Sequence, residues 1–281
     1  MDAAVSSVWC PRCEAEHPAA SAKPFKLGLE AALLCPTCGM VTRPLGSSEE
    51  RPMGEVLIEA LGYVRQPHAA ASLVALSAGQ WLFGHIPFVG GVIALSIVWG
   101  YVFAVVQRSM AGKGDLPPAV DFEHWVDLFP PLWRGLFAAI PGVAPLVIAL
   151  VNAASMGPAL TALCVVAAVA WAAFWTPGAI ANASLCDGAL QSANPVTVIA
   201  VATRLGSDYL RVAGTVAGLA LAASAVTTVL RLALALPLGL PVVGAVVNIA
   251  VSAVSLAFGV TIGRVVGLAF YERRRALGLD A

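Results

Sequence analysis

From Pro67 to Tyr271 the chain is a run of roughly 200 residues dominated by Ala, Val, Leu, Ile and Gly, broken only by short polar stretches. Such a run is too long and too apolar for the interior of a soluble domain. In hydrocarbon a backbone amide finds no water, so the segment must cross as helices that pair their own N–H and C=O groups. The whole chain carries 11% charged residues against 59% hydrophobic ones, with a mean hydropathy of +0.85; a soluble domain carries about 25% charged residues. The formal net charge is zero, so no basic field argues for nucleic acid as a partner. The opening MDAAVSSVWCPRC has neither a basic start nor an apolar run, which predicts an N-terminus kept in the cytosol.

Four of the six cysteines form two Cys-x-x-Cys pairs, Cys10/Cys13 and Cys35/Cys38, separated by 21 residues. This is the spacing of a four-thiolate metal site, not of a disulfide framework. Pro11 and Pro36 pre-set a tight turn after the first cysteine of each pair, and Gly39 admits the positive φ that ends the second turn. Residues 6–44 resemble a zinc ribbon, a small β module, most specifically in the Cys35-Pro36-Thr37-Cys38-Gly39 knuckle. Iron fits the same sulfur set, and zinc is the expected metal. With four protein ligands the tetrahedron is closed, so the expected role is structural, with metal binding supplying the folding energy of so small a piece. His17 is the one alternative ligand nearby and is expected to be an exposed loop histidine. Arg12, Lys23, Lys26 and Arg43 either form a docking surface for a protein or simply offset the negative charge of four thiolates.

The expected organisation is a ribbon over residues 1–44, a polar linker over 45–52 and a six-span membrane domain over 53–281, giving a mainly α fold with a small β head. Val56, Leu57, Ala60, Leu61 and Val64 recur at helical spacing opposite Glu55 and Glu59, predicting an amphipathic helix on the inner membrane face, anchored by Tyr63 and Arg65. Spans are predicted over about 67–83, 88–106, 134–152, 158–182, from Arg211 onward, and over 242–271. A second interfacial helix is predicted through Phe122, Trp125, Val126 and Phe129. A third places Val198, Ile199, Ala202, Leu205 and Tyr209 on one face. Of the twelve Lys and Arg residues from 51 onward, Arg231 alone falls on the non-cytoplasmic side, so the distribution places both termini in the cytosol. Tyr63, Trp133 and Tyr209, each next to or near an arginine at a hairpin entry, suggest three repeated units.

Arg231 and Arg264 are the ionisable residues nearest the bilayer interior, and each lies close enough to a span end to snorkel. Gln80, Asn152 and Asn248 could pair across helices, while Cys164 and Cys186 read as small apolar fillers. His85 and His124 each stand alone. No nucleophile-base set, phosphate loop or His-Glu-x-x-His pattern is present, so no catalytic residue is assigned. A membrane enzyme would need Asp121, Glu123, His124, Asp127, Asp187 and Asp208 to converge on an inner-face pocket.

The stretch GYVFAVVQRSMAGKGDLPPAVDFEHWVDLFPPLWRG, with EALGYVR before the first span and the closing GRVVGLAFYERRRALGL, resembles an uncharacterised bacterial membrane family known as domain of unknown function 4013. The resemblance covers most of residues 53–279. It implies a six-span protein of the bacterial cytoplasmic membrane and carries over no catalytic residue. The expected function is a non-enzymatic scaffold, adaptor or regulator whose ribbon binds a cytosolic protein; the alternative is a transporter or lipid-handling protein regulated by the ribbon.

Overall fold

The computed structural model describes residues 7–10, 13, 15–27, 30–38, 43–45, 51–86, 89–114, 117, 129–186, 188–234 and 241–273. The chain divides into two compact units, one of residues 1–52 with 270–281 and one of residues 53–269.

The first unit carries five short strands: β1 (Ser7–Cys10), β2 (Ala15–Pro18), β3 (Lys23–Leu27), β4 (Glu30–Leu34) and β5 (Arg43–Leu45). β1 is the centre of an antiparallel sheet ordered β2-β1-β5, and β3 pairs with β4 as a separate hairpin. Val8 and Cys10 alternate inward along β1 and are fully buried, as the period of two requires. The unit also holds an Arg51–Glu272 ion pair, with Arg273 on the second carboxylate oxygen of Glu272 at 3.8 Å. Arg273, expected as an inner-face anchor, is 5% exposed; Arg274 and Arg275 lie outside the described residues.

The second unit is a helical bundle. Its elements are α1 (Met53–Val64), α2 (Pro67–Gly84), α3 (Val89–Met110), α4 (Phe129–Val151), α5 (Pro158–Leu185), the single turn α6 (Ala189–Ser192), α7 (Pro195–Leu205), α8 (Ser207–Leu234) and α9, which runs from Pro241 to Glu272. Among the described residues five helices, α3, α4, α5, α8 and α9, are long and apolar enough to cross a membrane. This corrects the expectation of six spans. α2 has 18 residues, about 27 Å at 1.5 Å per residue against a core of about 30 Å, and both His68 and Gln80 interrupt its apolar run. α2 instead packs antiparallel to α3 as a hairpin: Leu73 joins Tyr63, Tyr101, Val105, Leu256 and Val260 in one core cluster, and Phe83 meets Gly90 at the turn.

Glycines set the closest helix approaches. A Cβ on Gly135 would stand 2.4 Å from the Trp99 indole, and one on Gly267 would stand 2.3 Å from Ser109 Cβ and 2.8 Å from the Val106 carbonyl oxygen. Small residues let bundle helices approach to this distance. Prolines inside the helices free carbonyls that hydrocarbon cannot satisfy, and side chains of neighbouring helices satisfy them. Pro145 offers no N–H to the Pro141 carbonyl, which instead accepts Trp171 Nε1–H at 2.8 Å. Next to Pro177 the Tyr209 hydroxyl accepts the Gly178 N–H at 3.1 Å and donates to the Phe174 carbonyl at 2.6 Å. Those are the two groups that an unbroken helix would bond to each other.

Three finer expectations change. α1 buries Val56, Ala60 and Tyr63, whereas Leu61 is 40% exposed, so its inward face is rotated toward Glu59. α7 stops at Gly206, whose φ of +55° turns the chain, and Tyr209 belongs to α8. Tyr209 still reaches the core with Val198, Ala202 and Leu205, while Ile199 is exposed. The three aromatic entry residues occupy different settings: Tyr63 and Tyr209 are buried and Trp133 is 49% exposed, which speaks against equivalent packing of three repeats. The interfacial helix expected through Phe122 to Phe129 lies outside the described residues, except Phe129, which begins α4.

Candidate metal centre

Four cysteines come together from three places in the first unit. Cys10 ends β1, Cys13 follows in the turn before β2, and Cys35 and Cys38 flank the turn after β4. Their sulfur atoms all lie within 4.8 Å of one another, with Cys10 to Cys38 at 3.3 Å and Cys13 to Cys35 at 3.9 Å. A tetrahedral ion with metal–sulfur bonds of about 2.3 Å needs sulfurs about 3.8 Å apart. No pair is bonded as a disulfide, a bond of about 2.05 Å. The four sulfurs can therefore hold one metal ion, and they leave it no open position.

The local electrostatics already prepare a thiolate. Burial pushes the Cys35 thiol up, but backbone N–H groups of Cys38 and Thr37 act against it and the thiol falls to about 6; the Thr37 N–H lies 3.4 Å from the sulfur. Cys13 is pushed up to about 12, first by its hydrogen bond with Cys38 and then by burial. Sulfurs this close cannot all ionise without a cation among them. His17 departs from expectation: it is half-buried on β2, not in a loop. Its Nε2 lies 3.4 Å from Cys35 Sγ, the place of a group that hydrogen-bonds a ligand instead of serving as one. Arg12 and Gly39 lie outside the described residues.

In the second unit the strongest polar assembly surrounds Arg264 of α9. Its guanidinium donates through Nη1 to Ser109 Oγ at 3.0 Å and the Lys113 carbonyl at 2.6 Å, and through Nη2 to Glu59 Oε1 at 2.8 Å. The Tyr63 ring lies 4.8 Å from the guanidinium carbon. Arg264 is 3% exposed, so it does not snorkel. It ties α1, the end of α3 and α9 together, and it places α1 and the C-terminal half of α9 at one end of the bundle. Sequence reasoning missed this clamp by assigning Glu59 to the solvated face; the available signal was that Glu59 and Tyr63 are four residues apart and share a helical face.

Other singled-out residues do local work. Asn152 donates to the Ile148 carbonyl one turn back, and His85 Nδ1 lies 2.7 Å from the Trp81 carbonyl. Cys186 bonds Asn182 through its thiol and accepts Arg134 Nη1 at its carbonyl. Asn248 is exposed, Cys164 is half-buried, and Asp208 pairs with Arg211 at 2.9 Å. Asp121, Glu123, His124, Asp127 and Asp187 lie outside the described residues.

No family model, characterised protein or solved structure matches the chain, and the resemblance to domain of unknown function 4013 gains no support from these comparisons. What the fold and site define is a membrane protein with five helices suited to crossing and a four-cysteine cluster able to bind a metal ion.

Proposed function

We propose that this is a bacterial cytoplasmic-membrane protein acting as a non-enzymatic adaptor, with a cytosolic zinc ribbon that docks a protein partner. The observation that carries this reading is the closed four-sulfur cluster in a chain that also carries five helices suited to crossing a membrane. A metal held by four protein thiolates has no position for water or substrate, so it serves to build a surface. Zinc suits the set because it is redox-inert, takes four thiolates without geometric preference and folds small modules outright. The role of this chain's own residues is to supply the thiolates, with His17 bonding Cys35. Residues 45–52 are the linker and residues 53–281 the bilayer-anchored part. Both termini are cytosolic in this reading, supported by the cation distribution and by the clamp that puts α1 and the end of α9 on one side.

The test is co-purification from native membranes of the intact protein and a Cys35→Ser/Cys38→Ser variant that inserts normally, with metal measured in both. Joint loss of zinc and of a stoichiometric cytosolic partner is the expected result. Loss of zinc with an unchanged partner set contradicts docking through the ribbon. A second reading, lipid handling by the bundle, is favoured by one observation, an apolar chamber of about 540 Å³ between α3, α4, α5, α8 and α9.

A further inference from the structure

Arg231 is a cation of the second unit that the Arg264 clamp does not use. It sits in the last turn of α8, exposed, and among the described residues no carboxylate pairs with it. Standing in the last turn of its span, Arg231 can carry its guanidinium to the membrane interface, where it stays available to an anion. Its surroundings are mixed: Gln80 of α2 and Ser252 and Ser255 of α9 line a pocket of about 200 Å³ with it, together with the apolar Val98, Val251 and Leu256. Two walls of that pocket, Val98 and Gly259, are also walls of the 540 Å³ chamber. A small pocket bearing a cation therefore adjoins a large apolar cleft that is open on one side, where Leu221 is 67% exposed.

The chamber is apolar in fact as well as composition. Val98, Val102, Ile180, Val216, Leu221 and Ile262 supply much of its lining. The hydroxyls that reach it are spoken for: Thr176 donates to the Ala172 carbonyl at 2.6 Å and Ser224 to the Ala220 carbonyl at 2.9 Å. From Ser252 at the mouth to Ile262 in the chamber is ten residues of α9, about 15 Å of helix. The volume falls within the roughly 300–1,000 Å³ of small-molecule sites.

We infer that this paired mouth and chamber binds a long-chain fatty acid, with its carboxylate on Arg231 and its single alkyl chain in the chamber. The inference goes beyond the adaptor reading and deepens the lipid-handling one. Charge complementarity chooses an anion, since among the described residues Arg231 is the one ionisable residue lining either cavity. The small mouth suits a carboxylate better than a glycerophosphate head, and guanidinium meets carboxylate as a two-pronged pair. The alkyl chain gains little by leaving lipid for an equally apolar chamber, so affinity over the bilayer must come from the Arg231 contact.

The test is palmitate binding to the full chain in phosphatidylcholine nanodiscs. Arg231→Gln should weaken binding at least tenfold, and Arg231→Lys, which keeps the charge but not the two-pronged contact, should recover part of it. Hexadecanol, which shares the chain and lacks the charge, should bind the unaltered protein about as weakly as palmitate binds the Gln variant, and Arg231→Gln should leave hexadecanol unaffected. Ala220→Trp, which fills the chamber, should abolish binding of both. Equal binding of palmitate and hexadecanol to the unaltered protein, where folding is not in question, overturns the carboxylate assignment. Displacement of palmitate by phosphatidylglycerol at comparable affinity overturns the fatty acid in favour of a bilayer phospholipid. The Cys35→Ser/Cys38→Ser variant should bind palmitate unchanged, which separates this result from the fate of the ribbon.

Discussion

Arg264 holds a full charge at 3% exposure, and that is tolerable only because Glu59, Ser109 and the Lys113 carbonyl meet it together. Removing one partner of such a pair leaves the other uncompensated. Because the Glu59 side chain is 37% exposed, water softens the loss, and Arg264→Gln should cost about 2–3 kcal/mol. The double change with Glu59→Gln should cost less than the sum of the two, as contacting residues do, and thermal unfolding in detergent reads both. Tyr63 under the same guanidinium is pushed up to about 12 by burial, with Arg264 acting in the opposite direction. At Cys35 the direction is reversed. Its folded thiol lies near 6, below the unfolded value of about 8.5, so stability from the thiolate is present above that value and is lost as pH falls through about 6. Protons compete with the metal for the four thiolates, so metal should dissociate on acidification, measured by dialysis at stepped pH and elemental analysis.

Helix breaks and helix contacts decide stability at the next scale. Trp171 satisfies the Pro141 carbonyl that Pro145 leaves open, and Tyr209 bridges the opened Gly178–Phe174 pair next to Pro177. Trp171→Phe and Tyr209→Phe should each lower stability by about 1–2 kcal/mol while keeping the ring packing, whereas Thr203→Ala at an exposed position of α7 should change it little. Gly267 and Gly218 offer a paired comparison. A Cβ at Gly267 collides with Ser109 and the Val106 carbonyl, and one at Gly218 meets nothing within 4 Å. Gly267→Ala should therefore cost about 1–3 kcal/mol through displaced α3, and Gly218→Ala should be neutral or stabilising. Denaturation monitored by circular dichroism distinguishes the two. Most helices were legible because apolar runs between Gly-Pro breaks are long: α5 and α9 begin at Pro158 and Pro241 as N-terminal prolines allow. The inward face of α1 was not, because a buried ion pair overrides a pattern that assumes carboxylates face water. The hydroxyl of Tyr209 was also invisible, since repairing the break at Pro177 is a long-range contact that no local spacing encodes.

For the molecule as a whole, two organising features came from composition and spacing: an apolar bundle, and four cysteines able to share one ion. The span count did not, because α2 carries His68 and Gln80 and gains its place by packing on α3 rather than by length. His17 was misplaced for a related reason, as strand β2 sets it beside Cys35 across 18 residues of chain. The account rests on the head being built around a metal. Elemental analysis of the purified full chain, beside a Cys35→Ser/Cys38→Ser variant with the same helical circular dichroism, tests it most directly. The account predicts one zinc per intact chain and none in the variant. A metal-free intact chain with four free thiols, or a variant that keeps its metal, would contradict it.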